Sequence, residues 1–283
     1  MSGPAASGRY AGLRQRVLTA LVLIAALAVV LFALPSAATL VLVVVAILVG
    51  GWEWSAFVAP ERPAVRAAFV ALLALGIAAA WPMSGTRSGM LALLLCAGLW
   101  WLLAVVWILR GPQRVGAALA AVAGIAALVP AAVALGRLRL EPVQGAWVLL
   151  FALLVVMAAD VGAYFAGHRF GRLKLAPGVS PGKTWEGVIG GLLFSLVVAA
   201  VGARLFGWPV AVVAPLAVGA AAFSVVGDLM ESLMKRHSGL KDSGHLFPGH
   251  GGILDRFDSL TAGIPILTLG LLQAGLIGEG WPP

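Results

Sequence analysis

Long apolar runs, broken only by short polar punctuation, recur from near the N-terminus almost to the C-terminus. The first is "VLTALVLIAALAVVLFAL" (17–34), and eight more follow at 39–58, 66–82, 90–109, 115–136, 145–165, 187–206, 209–230 and 259–278. At 1.5 Å per residue, a run of about 20 residues crosses a hydrocarbon core of about 30 Å as a helix. The pattern predicts an all-α, polytopic integral membrane protein with about nine transmembrane helices. Two connections, 166–186 and 231–258, are longer and more polar than the others. They are the natural places for chemistry.

Composition agrees with this reading. The 283 residues are 61% apolar and only 11% charged, with a mean hydropathy of +1.04, whereas about a quarter of the residues of a soluble domain are charged. The first run follows Arg14 and Arg16 and precedes Ser36-Ala37-Ala38, an arrangement shared with cleaved signal peptides. At 18 residues the stretch exceeds the ~7–15 usual for such a peptide, so an uncleaved anchor is expected.

The net charge of +8 does not imply a nucleic-acid partner, because in a membrane protein the placement of Lys and Arg says more than their sum. With the N-terminus inside, fifteen of the 19 fall on the cytoplasmic side and only Arg87, Arg137, Arg139 and Arg204 on the other. The positive-inside rule therefore puts the N-terminus and both polar loops on the cytoplasmic face of the cell membrane. The single cysteine, Cys96, excludes an intramolecular disulfide and reads as packing.

Seven of the eleven acidic residues lie between 160 and 258. The chain accordingly divides into an N-terminal scaffold, 1–144, and a C-terminal catalytic region, 145–283, that carries both polar loops. Asp228 falls at the end of the eighth run with Glu231 one helical turn on, and Asp255 and Asp258 repeat that spacing before the ninth. An intramembrane carboxylate facing lipid is unfavourable, so these four want water, a basic partner or a cation. On spacing alone, a helix end emerging into water beside Lys235 and Arg236 is an equal reading of Asp228 and Glu231.

Four acids at two neighbouring mouths also suit Mg²⁺, a hard ion that takes carboxylates, phosphates and waters. Zinc is disfavoured: His237, His245 and His250 share the loop, but no cysteine lies near and no zinc-ligand spacing is present. Asp160, about 15 residues into the sixth run, faces either a polar cavity or a hydrogen bond between helices.

"PGVSPGKTWEG" (177–187) invites comparison with a nucleotide-binding P-loop. The comparison fails: Pro177 stands where the first glycine is needed, Gly178 is one residue too close, and Pro181 removes an N–H. Ser180, Lys183 and Thr184 still have the side chains to bind an anion ahead of a helix. Alternatively, Arg169, Arg172, Lys174 and Lys183 meet anionic lipid headgroups.

"SLMKRHSGLKDSGHLFPGHGGILDRFD" (232–258) resembles the signature of the phosphatidate cytidylyltransferases. "DVGAYFAGHRFGRLKLAPGVSPGKTWEG" (160–187) is similar to that family's upstream loop, with its Ser-Pro-x-Lys-Thr-x-Glu-Gly core. The resemblance implies transfer of a cytidylyl group from CTP to phosphatidic acid, with Mg²⁺, giving CDP-diacylglycerol and pyrophosphate.

On that reading Asp228 and Asp255 are the leading metal ligands, supported by Asp258 and Glu231. Lys183, Lys241 and Arg256 are candidates for phosphate binding. Ser180, Thr184, His250 and Asp160 are candidate substrate contacts, and a homodimer is a family-level expectation. Two alternatives stay open: a cytidylyltransferase acting on another lipid phosphate, and a secondary transporter using Asp160 and Glu53 as an ion path.

Overall fold

The computed structural model describes residues 24–111, 115–240, 243–244, 251–279 and 281–282. Among these, helices stand at all nine apolar runs: α1 (Ile24–Ala33), then α2 (Ser36–Val58), α3 (Pro63–Met83), α4 (Arg87–Leu109), α5 (Ala117–Arg139), α6 (Gly145–Phe170), α7 (Trp185–Phe206), α8 (Val210–His237) and α9 (Leu254–Gln273). Seven of them, α2 to α8, are long and apolar enough to cross a membrane. The protein is a multi-pass membrane protein.

The chain divides into two units at Leu42 and Val43. In the first, α1 closes with a π-turn in which the Leu34 N–H donates to the Val29 carbonyl, and the Thr39 hydroxyl donates to the Val30 carbonyl. The second unit, Val43–Pro283, holds every candidate site residue that the structure describes.

At the centre of the second unit stands α9, which packs against α4, α5, α6 and α8. Position explains its composition. A helix enclosed by other helices has no need of a lipid-facing apolar surface, and α9 buries Ser259, Thr261 and Thr268 along with Ala262, Ile264 and Leu267. Its threonine hydroxyls bond within the helix, Thr261 to the Asp258 carbonyl and Thr268 to the Ile264 carbonyl. The second half of α5 is buried on all sides from Ala127 to Gly136.

Small residues let the helices of the site approach closely. A Cβ added at Gly162 of α6 would lie 2.6 Å from the Gly190 carbonyl of α7, and one at Gly191 would lie 2.6 Å from the Ala159 carbonyl. Between α8 and α9, a Cβ at Gly227 would lie 2.5 Å from the Asp258 carbonyl. The run Ala217 to Ala222 belongs to this second contact: Ala217, Ala220 and Ala221 are fully buried, and the Ala220 backbone meets Gly263 of α9.

The polar connections are shorter than the sequence predicts. Three helices run past their apolar stretches: α6 continues to Phe170, α8 to His237, and α9 begins at Leu254. The extension of α8 is amphipathic rather than apolar throughout, and Leu229, Met230, Leu233 and Met234 hold it against the hydrophobic core.

The first loop also contains an antiparallel hairpin that the all-α expectation omits: β1 (Lys174–Ala176) pairs with β2 (Ser180–Thr184), with Lys174 opposite Thr184 and Ala176 opposite Ser180. Its turn carries Pro177, whose fixed φ suits the second turn position, and the Val179 N–H donates to the Ala176 carbonyl at 3.1 Å. Val179 is buried in the core, and Arg236 of α8 donates to its carbonyl. Pro181 is tolerated in a strand of a two-stranded sheet.

Candidate active site

The end of α6, the hairpin, the start of α7, the end of α8 and the start of α9 meet around a cavity of about 560 Å³. That volume lies within the roughly 300–1,000 Å³ of ligand pockets. Its wall carries Asp160, Lys183, Thr184, Asp228, Asp255 and Asp258. Four of the candidate carboxylates and one candidate cation therefore share one space.

The hairpin aims Lys183. β2 runs directly into α7, where the Thr184 hydroxyl accepts the Gly187 N–H and caps the helix. Glu186, one residue into α7, accepts the Leu173 N–H with both carboxylate oxygens, and Trp185 donates to the Leu173 carbonyl. With both ends of the hairpin tied, Lys183 Nζ stands 2.6 Å from Asp228 Oδ2. The candidate anion-binding residues Ser180, Lys183 and Thr184 thus sit on a strand that runs directly into a helix, without the intervening loop of the Walker arrangement.

Asp228 and Glu231 share α8 but do different things. Asp228 lines the cavity and pairs with Lys183. Glu231 is 1% exposed and pairs with Lys235 at 3.1 Å, away from the lining. Lys235 is no loose surface partner: it also reaches Asp255 Oδ1 at 2.8 Å and joins α8 to α9.

Asp255 is the most heavily bonded of the group, accepting from Lys235, from the Gly252 N–H at 2.7 Å and from the Ser243 N–H. It precedes the apolar stretch predicted to cross the membrane from 259. Burial pushes its carboxyl up, but Lys235 and the Gly252 N–H outweigh burial and hold it at about 2. Asp258 accepts the Ser259 N–H at 2.7 Å, and the Ser259 hydroxyl donates to Asp160 at 3.0 Å. Among the described residues, Asp228 accepts from Lys183 and from the Ser232 hydroxyl at 3.4 Å, and all three aspartates line the cavity.

Ser180, Glu231 and Arg256 stand outside the cavity lining, with Arg256 exposed. Lys241 and His250, both read as substrate contacts, lie outside the described residues, as does His245. Tyr164 and His168 were not foreseen. They line the cavity with parallel rings 6.1 Å apart. The helical spacing Asp160, Tyr164, His168 carries the signal, but ending the sixth span at 165 hides it.

Among the described residues no three acidic, histidine or cysteine side chains stand grouped as a ready-made metal cage. The four aspartates that line the cavity nonetheless suit a hard cation, since they offer carboxylate oxygens, and Mg²⁺ commonly takes only one or two carboxylates and completes its shell with phosphate and water.

The comparisons with known proteins give the family. A model described as the cytidylyltransferase family matches residues 14–272. The chain is 41% identical to a phosphatidate cytidylyltransferase of Haemophilus influenzae, covering 90% of this chain and 97% of that one. It is 40% identical to one of Pseudomonas aeruginosa, covering 93% and 98%. A shorter match, 46% identical over 132 residues, covers 51% of the enzyme of Staphylococcus saprophyticus. The chain belongs to the cytidylyltransferase family.

Proposed function

We propose that this cavity transfers the cytidylyl group of CTP to phosphatidic acid, giving CDP-diacylglycerol for phospholipid synthesis. The observation that carries the reading is the convergence of Asp160, Lys183, Asp228, Asp255 and Asp258 on one cavity at the end of α6 to α9, in a chain of this family.

A phosphate oxygen of phosphatidic acid attacks the α-phosphorus of CTP. The new bond is that oxygen to α-phosphorus, and the bond between the α-phosphorus and its bridging oxygen to the β-phosphate breaks. Pyrophosphate leaves with the electron pair. A phosphomonoester is nucleophilic at neutral pH, so the chain need supply no general base, and its work is positioning and charge compensation.

Lys183 holds a triphosphate or lipid phosphate oxygen, exchanging its contact with Asp228 for the incoming anion. Thr184, capping α7, keeps the positive end of that helix turned toward the same region. Mg²⁺ would be held by Asp228 and Asp258, with Asp160 and Asp255 beside them, and would neutralise charge on the phosphates. Arg256, Ser180 and the residues Lys241 and His250 remain candidate contacts of the larger substrates.

The charge bias puts the N-terminus and the cavity on the cytoplasmic side of the cell membrane, where CTP is dissolved. A secondary transporter fits less well, because the acids gather at one end of the helices instead of spacing a path through them.

The test is purified protein with radiolabelled CTP, Mg²⁺ and a panel of lipid phosphates. Label enters CDP-diacylglycerol with phosphatidic acid as acceptor and requires the divalent ion. Faster labelling of another lipid phosphate would replace the acceptor. Failure to label any lipid, with substrate uptake into vesicles, would replace the reaction.

A further inference from the structure

We infer that Glu53, on α2, is a positioning residue for the turn that presents Asp255. Its consequence for turnover rests on the cytidylyl-transfer reading; its geometry does not. Glu53 is 6% exposed, and its carboxylate accepts three hydrogen bonds from one segment of chain. The Ile253 N–H reaches Oε1 at 3.1 Å, while the Leu254 N–H at 2.8 Å and the Ser243 hydroxyl at 3.2 Å reach Oε2.

The contact answers a need of α9. The first N–H groups of a helix have no partner within it, and Ile253, at the N-cap, has no side-chain acceptor to offer. Glu53 supplies that acceptor from another helix, and its negative charge suits the positive end of α9. The chain is shaped to fit it: a Cβ at Gly252 would lie 2.3 Å from Glu53 Oε2, and one at Gly244 would lie 2.4 Å from Oε1.

Asp255 holds the same segment through the N–H groups of Ser243 and Gly252. The turn is therefore clamped between two carboxylates. Asp255 lines the cavity, whereas Glu53 is absent from the lining and acts through the turn. A residue of the N-terminal half, 200 positions away in sequence from Ile253, thereby fixes where the first turn of α9 stands.

Glu53→Gln keeps the shape but replaces one acceptor oxygen with an amide that faces N–H or O–H donors. Glu53→Asp keeps the charge with one methylene fewer. In the full-length protein in nanodiscs, Glu53→Gln should lower kcat at least tenfold and quicken amide exchange at 252–254 at least tenfold. Exchange within α5 and α6 should stay at the wild-type rate, and Glu53→Asp should recover at least threefold of the lost kcat.

Gly252→Ala, which wedges the same contact from the other side, should reproduce the fall in kcat and the local exchange. It carries the test if Glu53→Gln does not fold. The inference is overturned if a folded Glu53→Gln or Gly252→Ala turns over within twofold of wild type. It is equally overturned if kcat falls only together with loosening of α5 and α6, since Glu53 would then serve the fold alone. If the wild-type protein forms no CDP-diacylglycerol, the functional reading fails, and the exchange rates alone judge the clamp.

Discussion

Asp228 and Glu231, three residues apart on α8, are separated by what they face. Asp228 shares a partly exposed ion pair with Lys183, and pairs of that kind contribute about 0–1 kcal/mol to stability. Asp228→Asn should therefore leave the melting temperature nearly unchanged while reducing CDP-diacylglycerol formation at least a hundredfold. A variant with near-normal turnover removes Asp228 from the site. Glu231 pairs with Lys235 outside the cavity lining. Glu231→Gln should lower thermal stability, by about 1–3 kcal/mol for a perturbed buried charge network, yet leave the Mg²⁺ concentration for half-maximal activity as it was. A several-fold rise in that concentration would make Glu231 a ligand.

Asp255→Asn should abolish turnover with insertion into the membrane intact, measured as protein in the membrane fraction against product formed. Its pH signature has a definite sign. The folded carboxyl, at about 2, lies below its ordinary 3.8, so its stabilising bonds are in full force above about pH 4 and are lost as pH falls toward 2. Inactivation at mildly acid pH would have to come from another group.

At the scale of elements, the hairpin and the α6–α7 crossing decide where Lys183 stands. Gly190→Val should be poorly tolerated, because even its Cβ would lie 2.2 Å from the Ala166 side chain and 2.8 Å from the Gly162 carbonyl. Overpacking of this kind costs about 1–3 kcal/mol. Gly182→Ala, on β2 with nothing within 4 Å of its Cβ, should melt like wild type. A thermal melt of the two variants checks the contrast.

The helices were legible because each apolar run is long. The hairpin was not, since "KLA" and "SPGKT" have neither the length nor the alternation of a strand. What makes them pair is tertiary: Glu186 on Leu173, and Val179 buried against the core. The extensions of α6 and α8 were missed for a related reason. A helix that leaves the membrane as an amphipathic turn looks polar to any reading based on apolar runs, and His168 was lost with it.

For the whole molecule, charge placement predicts that the hairpin and the end of α8 share one side of the membrane and the α5–α6 connection the other. In a Cys96→Ala background, cysteines at Gly178 and Ser238 should be labelled only after permeabilisation of intact cells, and one at Val143 before it. The reverse pattern would invert the topology. The site was half legible: two motifs pointed to the acids and to Lys183, and the structure gathers most of them on one cavity. The pairing of Lys235 with Asp255, and the reach of Glu53 to Ile253, join residues with no shared local pattern.

The enclosure of α9 has a consequence for how such a chain can drift in sequence. Its first turns carry Asp255 and Asp258, and its remainder touches α4, α5, α6 and α8. Apart from the exposed Arg256 and Gln273, a side chain changed there meets either the cavity or another helix. The outer face of α4, with Leu95, Leu99, Leu102 and Leu103 exposed, meets neither, and any apolar residue serves. A growth-based scan of all substitutions should therefore sort by helix more sharply than by distance from Asp255, with α9 intolerant at its enclosed positions from end to end and α4 permissive on one face.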